Sequence, residues 1–474
     1  MTVSKLIAKK EVQRAIAQSR ALLRCALPDG TFGEREEAAL AVSNEVVRSL
    51  LEEELQELAD GYGSELLVDG VPYKEHEPGT VVYHSLCGGL EVTRSSYRQM
   101  GVHNGPTVVP LELSAGLAER TTPALAFNVA HAYAQHDMRL HHDELRMAHR
   151  VPPSRSTLER VAGRIGEAAV QDAPRLEERL RRGERLPDGA SGVSIGLDRT
   201  AVAMREPRAD DAPSKPARKR RKPRVRKAPP PTDINWRMAY VGTVSVVNED
   251  GEALVTRRYA APACDDPRAL VEEMAADVRC ALTRQPDLHV GIVQDGAPEM
   301  WNLTREGLQA LCNEKRLDTW HEGIDRYHLS ERLAEALKLC NLAKEDRQRL
   351  LDEWTGWFDY CDGTIDTIER YLAQKYRELP AAREQLWEHL VYIRNNKDRM
   401  RYATLRELGL PIGSGATESA ARTLVGQRAK GRSRSWVEPR LRGVLTLRAL
   451  RQSDRLPRFW SRFARRYTAT VEAA

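Results

Sequence analysis

Three acidic residues occupy positions from which carboxylates could bind metal ions. Asp198 ends the apolar run IGL, Asp295 follows the run HVGIVQ, and Glu418 follows the glycine-rich segment PIGSGAT. Hard divalent cations such as Mg²⁺ and Mn²⁺ prefer carboxylate oxygens. Two such ions, about 3.5–4 Å apart, can activate the attacking oxygen and stabilise the leaving oxygen of a phosphodiester transfer. This chemistry requires that carboxylates from separate elements converge.

The elements around Asp198 and Asp295 are predicted to form one mixed sheet. Segment 192–205 predicts a strand, and the segments that follow predict strand, strand, helix, strand, helix, strand and helix. This order is that of an RNase H-like α/β domain, a mixed sheet with helices on both faces. Its first and fourth strands are neighbours, so the two aspartates are expected to meet at the carboxyl end of the sheet. A helical insertion at 330–400 is predicted before Glu418.

Each of these acids also has a structural interpretation. An aspartate at a strand end is often a turn former. Glu418 would be the third residue of a helix capped by Gly415, where a glutamate can serve as a cap. The two aspartates in these particular strands are a more specific signal than either one alone. The sequence leaves both a metal-binding triad and separate structural roles open.

Two further groups of titratable residues raise the question of additional contacts. Asp325 and His328 stand at a predicted strand-to-helix junction, where their spacing places them on one face of a helix. They either support the metal site or contact DNA, or they are a helix-start acid and a structural histidine. Five histidines on predicted helices lack cysteine partners and indicate a polar face rather than a zinc site: His131, His136, His141, His142 and His149.

Two basic segments could contact phosphate. The Pro-rich loop at 208–233 cannot pack a core, and its charge density suits either phosphate contact or a solubilising linker. Its proposed DNA-binding residues are Arg218, Lys219, Arg220, Arg221 and Lys222. The helix predicted after Glu418 is either a phosphate clamp or a solvated basic face, and its basic residues are Arg422, Arg428, Lys430, Arg432 and Arg434.

The N-terminal part predicts an α+β region that could recognise DNA. Residues 1–60 show helical spacing of apolar residues on an acidic background, and residues 64–100 predict a small antiparallel sheet. Residues 120–185 predict three short helices, the third beginning with the capping-box sequence STLE at 156–159. Three such helices suit either a helix-turn-helix reader of the major groove or a generic helical bundle.

Changes in composition divide the chain into six segments. They are a helical region at 1–62, an antiparallel β module at 63–118, a helix-turn-helix-like region at 119–190, the first part of the catalytic domain at 191–329, a helical insertion at 330–408, and a catalytic helix with C-terminal helices at 409–474.

Overall composition indicates little about partners but restricts the compartment. The 73 Lys and Arg residues against 68 Asp and Glu residues give a net charge of only +5, so local charge must indicate nucleic-acid binding. Seven cysteines without a C-x-x-C pair indicate reduced thiols. No apolar run reaches the roughly 18 residues of a membrane span. A cytoplasmic, nucleoid-associated protein without a membrane partner is expected.

Several segments resemble the ISKra-type transposases of bacterial insertion sequences. They are GLDRTAV, VQDGAPEMW, DRYHLSERL and, most specifically, PIGSGATESAARTLVGQRAKGRSRSW. The resemblance implies a DDE catalytic domain in which Asp198, Asp295 and Glu418 bind two Mg²⁺ (or Mn²⁺) ions. It also matches Asp325 and His328 to an Asp-x-x-His feature of the family. Many members carry cysteine pairs around the N-terminal sheet, whereas only Cys87 stands there in this chain.

The function expected from these features is transposition. The protein would bind the terminal inverted repeats of an insertion sequence, nick the element ends with water, and join the freed 3′-hydroxyl to target DNA. Two ends must be brought together, so a homodimer or larger oligomer on double-stranded DNA is expected. Two alternatives remain: an RNase H-like nuclease that cuts without strand transfer, and a domesticated DNA-binding regulator that keeps the fold.

Overall fold

The protein is mixed α/β, as expected from the sequence. The structure, a computed structural model, describes residues 9–208, 231–262, 266–431 and 434–474. The chain divides into two compact units, one of Met1–Ile165 with Trp460–Ala474 and one of Gly166–Phe459. The six segments predicted from composition are a finer division, which stays a prediction.

The first unit combines helices with an antiparallel sheet. Its strands are β1 (Glu65–Val68), β2 (Val71–Ser85), β3 (Gly88–Gln99) and β4 (Thr107–Val108). Its helices are α1 (Lys10–Ala26), α2 (Phe32–Asp60), α3 (Pro110–Ser114), α4 (Pro123–Tyr133), α5 (Met138–Met147) and the first part of α6 (Arg155–Gly183). The antiparallel sheet predicted for residues 64–100 is confirmed.

Two details of this unit differ from the sequence-based expectation. A C-terminal strand, Val471–Ala473, pairs with β1, although residues 409–474 were expected to be helical. Three residues are too few to show a strand period, and the strand pairs with the edge of β1 that β2 leaves free. Helix α6 is long rather than short and is capped by Ser154, whose hydroxyl accepts the Thr157 N–H at 3.3 Å. Ser156 therefore lies inside the helix, because the earlier serine already satisfies a first-turn N–H.

The second unit contains a five-stranded mixed sheet. The strands are β5 (Gly192–Pro207), β6 (Thr232–Val247), β7 (Ala253–Ala261), β8 (His289–Gln294) and β9 (His321–Ile324), in the spatial order β7-β6-β5-β8-β9. The first three strands are antiparallel, and β8 and β9 run parallel to β5. Helices α7 (Pro267–Arg284) and α8 (Pro298–Asn313) lie between the strands in sequence. The predicted order of elements and the adjacency of the first and fourth strands are confirmed.

Within the described residues, the other α-helices that begin in the second unit, together with one π-helical turn, follow strand β9 in sequence. They are α9 (Arg326–Lys338), α10 (Lys344–Trp357), α11 (Thr364–Glu378), α12 (Arg383–Asn396), α13 (Tyr402–Glu407), α14 (Gly415–Ala420), a π-helical turn (Ala421–Gly426), α15 (Gln427–Ala429), α16 (Glu438–Gln452) and α17 (Leu456–Phe463). The basic helix expected after Glu418 thus ends at Ala429. Lys430 has an extended backbone conformation, and further along the chain Trp436 forms a β-bridge with Met204 of strand β5.

The core of the second unit fixes the strands that carry Asp198 and Asp295. Five of the six residues of β8 are buried, as expected for a parallel strand covered on both faces. One hydrophobic cluster joins Ile195 and Ile292 of the sheet to Trp301, Trp354 and Phe358 of the helices. The sheet and the following helices therefore share one core, which holds the carboxyl ends of the strands in place.

A buried ionic network lies elsewhere in this unit. The Arg455 side chain is only 1% exposed, and its guanidinium donates to Glu184 at 2.7 Å, to Asp277 at 2.8 Å and to the Tyr259 hydroxyl at 3.1 Å. A buried guanidinium is tolerated only when acceptors surround it in this way. The network ties helices α7 and α17 to the strand β7 and the segment after α6.

Candidate metal centre

Three aspartates lie at the same level on neighbouring parallel strands: Asp295 and Asp325 directly follow β8 and β9, whereas Asp198 lies within β5, beyond its last residue paired with β8. Ile195 of β5 pairs with Ile292 of β8, so Asp198 and Asp295, each three residues further along, continue that register. Gln294 of β8 pairs with Ile324 of β9. Asp295 follows Gln294 and Asp325 follows Ile324, so these two aspartates also lie level with each other. The Asp325 N–H donates to the carbonyl of Gln294 at 3.1 Å. The edge expected to bring two aspartates together thus carries three.

A close helix–strand approach brings Glu418 to this edge. A side chain on Gly196 would place its Cβ 2.0 Å from Thr417 Oγ1, so helix α14 can pack on strand β5 only where a glycine stands. The same Thr417 hydroxyl shares a hydrogen bond with the Thr243 hydroxyl of β6 at 2.7 Å. Glu418 follows Thr417, so its backbone is fixed against β5 two residues before Asp198.

Hydrogen bonds of Ser414 connect the first turn of α14 to Asp325 and to Glu418. Ser414, not Gly415, is the N-cap residue, so Glu418 is the fourth helical residue rather than the third. The Ser414 N–H donates to Asp325 Oδ2 at 2.5 Å. The Ser414 hydroxyl lies 2.9 Å from Asp325 Oδ2 and 2.7 Å from Glu418 Oε1. One serine therefore links the buried aspartate that caps α9 to the exposed glutamate of α14.

Asp325 is held in its charged form by its partners. Burial by itself would raise the pKa of this carboxyl, but the N–H groups of Ser414 and His328 more than offset that effect and lower its pKa below the ordinary value. The residue is 2% exposed and is the N-cap of α9, where it accepts the His328 N–H at 2.8 Å. The helix-start interpretation of Asp325 is correct, and the same carboxylate also holds the neighbouring helix.

His328 completes a group that could bind a metal ion. Its Nδ1 lies 3.0 Å from Asp325 Oδ1 and 3.7 Å from Glu418 Oε1. Ligand atoms of the three residues all lie within 4.8 Å of one another. The side chains of His328 and Glu418 are 43% and 49% exposed, so both are accessible from solvent.

The electrostatics of Asp198 show that it lies near the other acids. Burial is the main effect that raises the pKa of Asp198, and the hydrogen bond from the Arg199 N–H, at 2.6 Å, opposes it. The negative charges of Asp295 and Glu418 raise the pKa of Asp198 further. Such mutual repulsion favours binding of a proton or of a metal cation. Within the described residues, the group at this sheet edge with ligand atoms within 4.8 Å of one another contains Glu418 but neither Asp198 nor Asp295. Asp198 and Asp295 are therefore linked to Glu418 by strand register and charge rather than by ligand-atom distance.

The loop that carries Asp295 is held by its own contacts. The Asp295 carboxylate accepts the Ala297 N–H at 3.0 Å, and its carbonyl accepts the indole N–H of Trp301 at 2.8 Å. A Cβ on Gly296 would lie 2.9 Å from the ring of Tyr392, so helix α12 packs directly on this turn. The hydrogen bond from the Ala297 N–H is consistent with the interpretation of Asp295 as a turn former. It uses only Oδ1, so Oδ2 of the same carboxylate is left for other partners.

The basic residues after Glu418 fall into different environments. Arg422, Lys430 and Arg434 are exposed. Arg428 is 4% exposed, and its guanidinium lies over the ring of Trp436 at 4.8 Å, so it belongs to the core rather than to a basic face. The remaining residues predicted to contact DNA lie outside the described residues: Arg218, Lys219, Arg220, Arg221, Lys222 and Arg432.

Sequence reasoning did not find the residues that position the carboxylates. Ser414, Thr417 and Gly196 carry no chemistry of their own, and their contacts depend on the approach of distant segments. The only available signal was the pair of glycines that flanks Ser414 in the segment preceding Glu418. Those glycines were interpreted as a turn, without a role for the serine between them.

Comparisons with known proteins do not assign this chain to a family. No protein-family model matches it, and no curated protein sequence matches it. Within the residues that the structure describes, no helix combines the length and apolarity needed to cross a bilayer.

Proposed function

We propose that the carboxylate cluster of the second unit is the catalytic centre of a DDE transposase. Its RNase H-like domain would cut and join DNA with two Mg²⁺ or Mn²⁺ ions. The observation that carries the proposal is the strand register that sets Asp198 level with Asp295, together with the packing that brings Glu418 to the same edge. The order of the sheet, third-second-first-fourth-fifth strand, supports the RNase H-like assignment.

In this proposal the three acids hold the ions and the surrounding residues keep the acids in place. Bound ions would activate water or a 3′-hydroxyl as nucleophile and stabilise the leaving oxygen. Asp198, Asp295 and Glu418 supply oxygens from two strands and one helix. Asp325 acts through Ser414 on the orientation of Glu418. Its burial makes it a positioning residue, whereas the exposed His328 can contact DNA or an ion.

The proposed substrate is double-stranded DNA, bound as element ends and as target. Exposed Arg422, Lys430 and Arg434 follow the acid-bearing helix α14 in sequence, and Lys430 Nζ contacts the Thr200 hydroxyl two residues after Asp198. Cationic side chains in this position suit contact with the phosphates next to the scissile bond. A homodimer or larger oligomer is part of the proposal, because two DNA ends must meet before they are joined.

Strand joining, rather than cutting alone, is supported by the resemblance of four segments to ISKra-type transposases. Those segments include all five residues of the cluster at the sheet edge. The carboxylate geometry by itself suits an RNase H-like nuclease equally well, since both reactions use the same two-metal chemistry. The nature of the product therefore separates the two functions.

The experiment is a cleavage and joining assay on the full-length protein. A labelled duplex that spans the boundary of the DNA bordering the gene is incubated with a target plasmid and Mg²⁺, Mn²⁺ or EDTA. Wild type is compared with Asp198→Asn, Asp295→Asn and Glu418→Gln, and with Glu407→Gln as an exposed control. We expect nicked and joined products with either metal, none with EDTA, and loss in the three variants but not in the control.

Other results would overturn the proposal. Free ends without joined products would identify a nuclease. Binding of the duplex without cleavage under any metal would favour a DNA-binding regulator. Full activity of any one of the three variants would show that the replaced acid is a turn former or a cap and not a metal ligand.

A further inference from the structure

A second group of metal-ligating side chains lies in the first unit, around the turn between α4 and α5. His136 precedes α5, and His141 and Glu144 lie on successive turns of that helix. His136 and His149 lie outside the helices on which the sequence pattern had placed them. A polar face was expected for these histidines, but His141 is only 5% exposed.

The distances in this group match those of a small ion site. His136 Nε2 lies 3.0 Å from Glu144 Oε2, and His141 Nδ1 lies 3.8 Å from the same oxygen. One ligand atom from each residue falls within 4.8 Å of the others. Zn²⁺ binds imidazole nitrogen and carboxylate oxygen at about 2.0–2.2 Å, so tetrahedral ligand atoms are separated by roughly 3.3 Å. The two nitrogen–oxygen distances of this group lie on either side of that value.

The hydrogen bonding of His136 leaves a place beside Glu144 for a proton or a metal ion. Its Nδ1 lies 3.2 Å from the carbonyl of Asp137, and a carbonyl oxygen can only accept, so Nδ1 carries a proton. In the neutral ring Nε2 is then an acceptor, and it faces a carboxylate oxygen, which is also an acceptor. Two acceptors at this separation require a proton or a metal ion between them. A backbone carbonyl on the opposite nitrogen is also the usual way in which a metal-binding histidine is oriented.

A second observation concerns His141. Its Nε2 is buried and has no hydrogen-bond partner among the described residues. Buried polar atoms in folded proteins are normally satisfied, and an exception calls for a missing water, ion or ligand. In the structure Nδ1, not Nε2, faces Glu144, so a cation shared with Glu144 would provide that partner only after a rotation of the ring.

We propose that His136, His141 and Glu144 bind one Zn²⁺ ion, with a fourth position open to water. Two imidazole nitrogens and one carboxylate suit Zn²⁺ better than Mg²⁺, which prefers oxygen ligands. The ion ties the segment after α4 to the middle of α5. It therefore fixes the angle between α4 and α5, two helices of the region predicted to read DNA. This site shares no residue with the carboxylate centre and prefers a different metal.

The test is zinc binding by the chelator-stripped, full-length protein. Zn²⁺ affinity is measured by competition with a chromophoric chelator, and Co²⁺ substitution reports coordination through its visible absorption. All proteins carry Glu418→Gln, so that the group of Asp325, His328 and Glu418 loses a ligand and contributes little. The test variants are His136→Gln and Glu144→Gln, and His142→Gln on the same helix is the matched control.

We expect one equivalent of Zn²⁺ and a four-coordinate Co²⁺ spectrum for the parent and the control. Removing an outer partner of a metal ligand costs about 10–100-fold in affinity, so losing a ligand should weaken Zn²⁺ binding by at least about 100-fold. Zn²⁺ should also raise the Tm of the parent but not of the two variants. Glu144 is half exposed, so Glu144→Gln should fold even if a histidine variant does not.

Two outcomes would overturn the inference. Absence of stoichiometric Zn²⁺ binding by the parent would show that a proton, as in a His136–Glu144 ion pair, occupies the position between the two acceptors. Equal Zn²⁺ binding by the parent and by folded Glu144→Gln would place the ion elsewhere in the chain.

Discussion

Replacement of Gly196 by alanine is predicted to displace Glu418 without altering any carboxylate. The new Cβ would lie 2.0 Å from Thr417 Oγ1 and 3.0 Å from the carbonyl of Val293, whereas ordinary contact begins at 3.4 Å. Helix α14 must therefore move away from β5 by roughly 1.4 Å, the difference between 2.0 Å and 3.4 Å. Alternatively, the Thr417 side chain must rotate and lose its hydrogen bond to Thr243.

The size of the effect follows from this displacement. Overpacking in a core costs about 1–3 kcal/mol, which corresponds to a fall in Tm of a few degrees for a unit of this size. A misplacement of a catalytic group by about 1 Å can cost on the order of 100-fold in rate. Gly196→Ala should thus lose far more activity than stability.

The assay combines the rate of metal-dependent DNA cleavage with thermal unfolding of the same preparation. Gly356→Ala is the matched control, because nothing lies within 4 Å of a Cβ built at Gly356. Adding Thr417→Ala to Gly196→Ala should restore part of the lost rate, since it removes the closest atom and leaves a contact of 3.1 Å to Thr417 Cβ. Full activity of Gly196→Ala would show that the position of α14 does not depend on close contact with β5, contrary to this prediction.

Three further predictions concern single residues of the second unit. Burial and nearby negative charges raise the pKa of Asp198, so the protein loses stability as the pH rises through that pKa and the carboxyl becomes charged. Asp198→Asn should therefore raise the Tm of the metal-free protein more at neutral pH than in mild acid, and it should abolish cleavage. An unchanged Tm would contradict this prediction. Ser414→Ala should lower the cleavage rate about 10–100-fold, because it removes the hydrogen bond that holds Glu418. It should also lower the free energy of unfolding, measured by urea titration, by about 1 kcal/mol. An unaltered rate would show that Ser414 does not position Glu418. Arg455→Met should lower the free energy of unfolding by about 3–5 kcal/mol, because it leaves Asp277 buried without its cation, whereas Glu184 keeps Arg257 and Arg458 as partners. A loss below about 1 kcal/mol would show that water replaces the guanidinium.

The sequence was sufficient to predict the order of strands and helices around the sheet of the second unit and the adjacency of the strands that carry Asp198 and Asp295. Apolar alternation and apolar runs are local signals, and the order of strands and helices restricts which strands can be neighbours. The same reasoning placed Asp325 at a helix start. These inferences depend on short stretches of chain, which is why they could be made without coordinates.

Details that depend on distant segments were not predictable. Gly196 and Thr417 are 221 positions apart, and their contact depends on how α14 approaches the sheet. The basic pattern after Glu418 gave no sign that Arg428 packs under Trp436, because a cation on a helix is usually solvated. The sequence-based prediction placed the N-cap of α6 at Ser156, two residues after the actual cap, Ser154. Both serines have a spacing suitable for capping the first turn, so the sequence could not distinguish them.

The proposal that Asp198, Asp295 and Glu418 form one metal centre is best tested on the ions themselves. Mn²⁺ bound to wild-type protein in complex with a cleaved DNA end is examined by electron paramagnetic resonance, alongside Asp198→Asn and Glu418→Gln. We predict two Mn²⁺ ions per site, about 3.5–4 Å apart and therefore magnetically coupled, with the coupling lost in both variants. A single uncoupled ion in the wild type, or a coupled pair that persists in either variant, would contradict the proposal that these carboxylates form one two-metal centre.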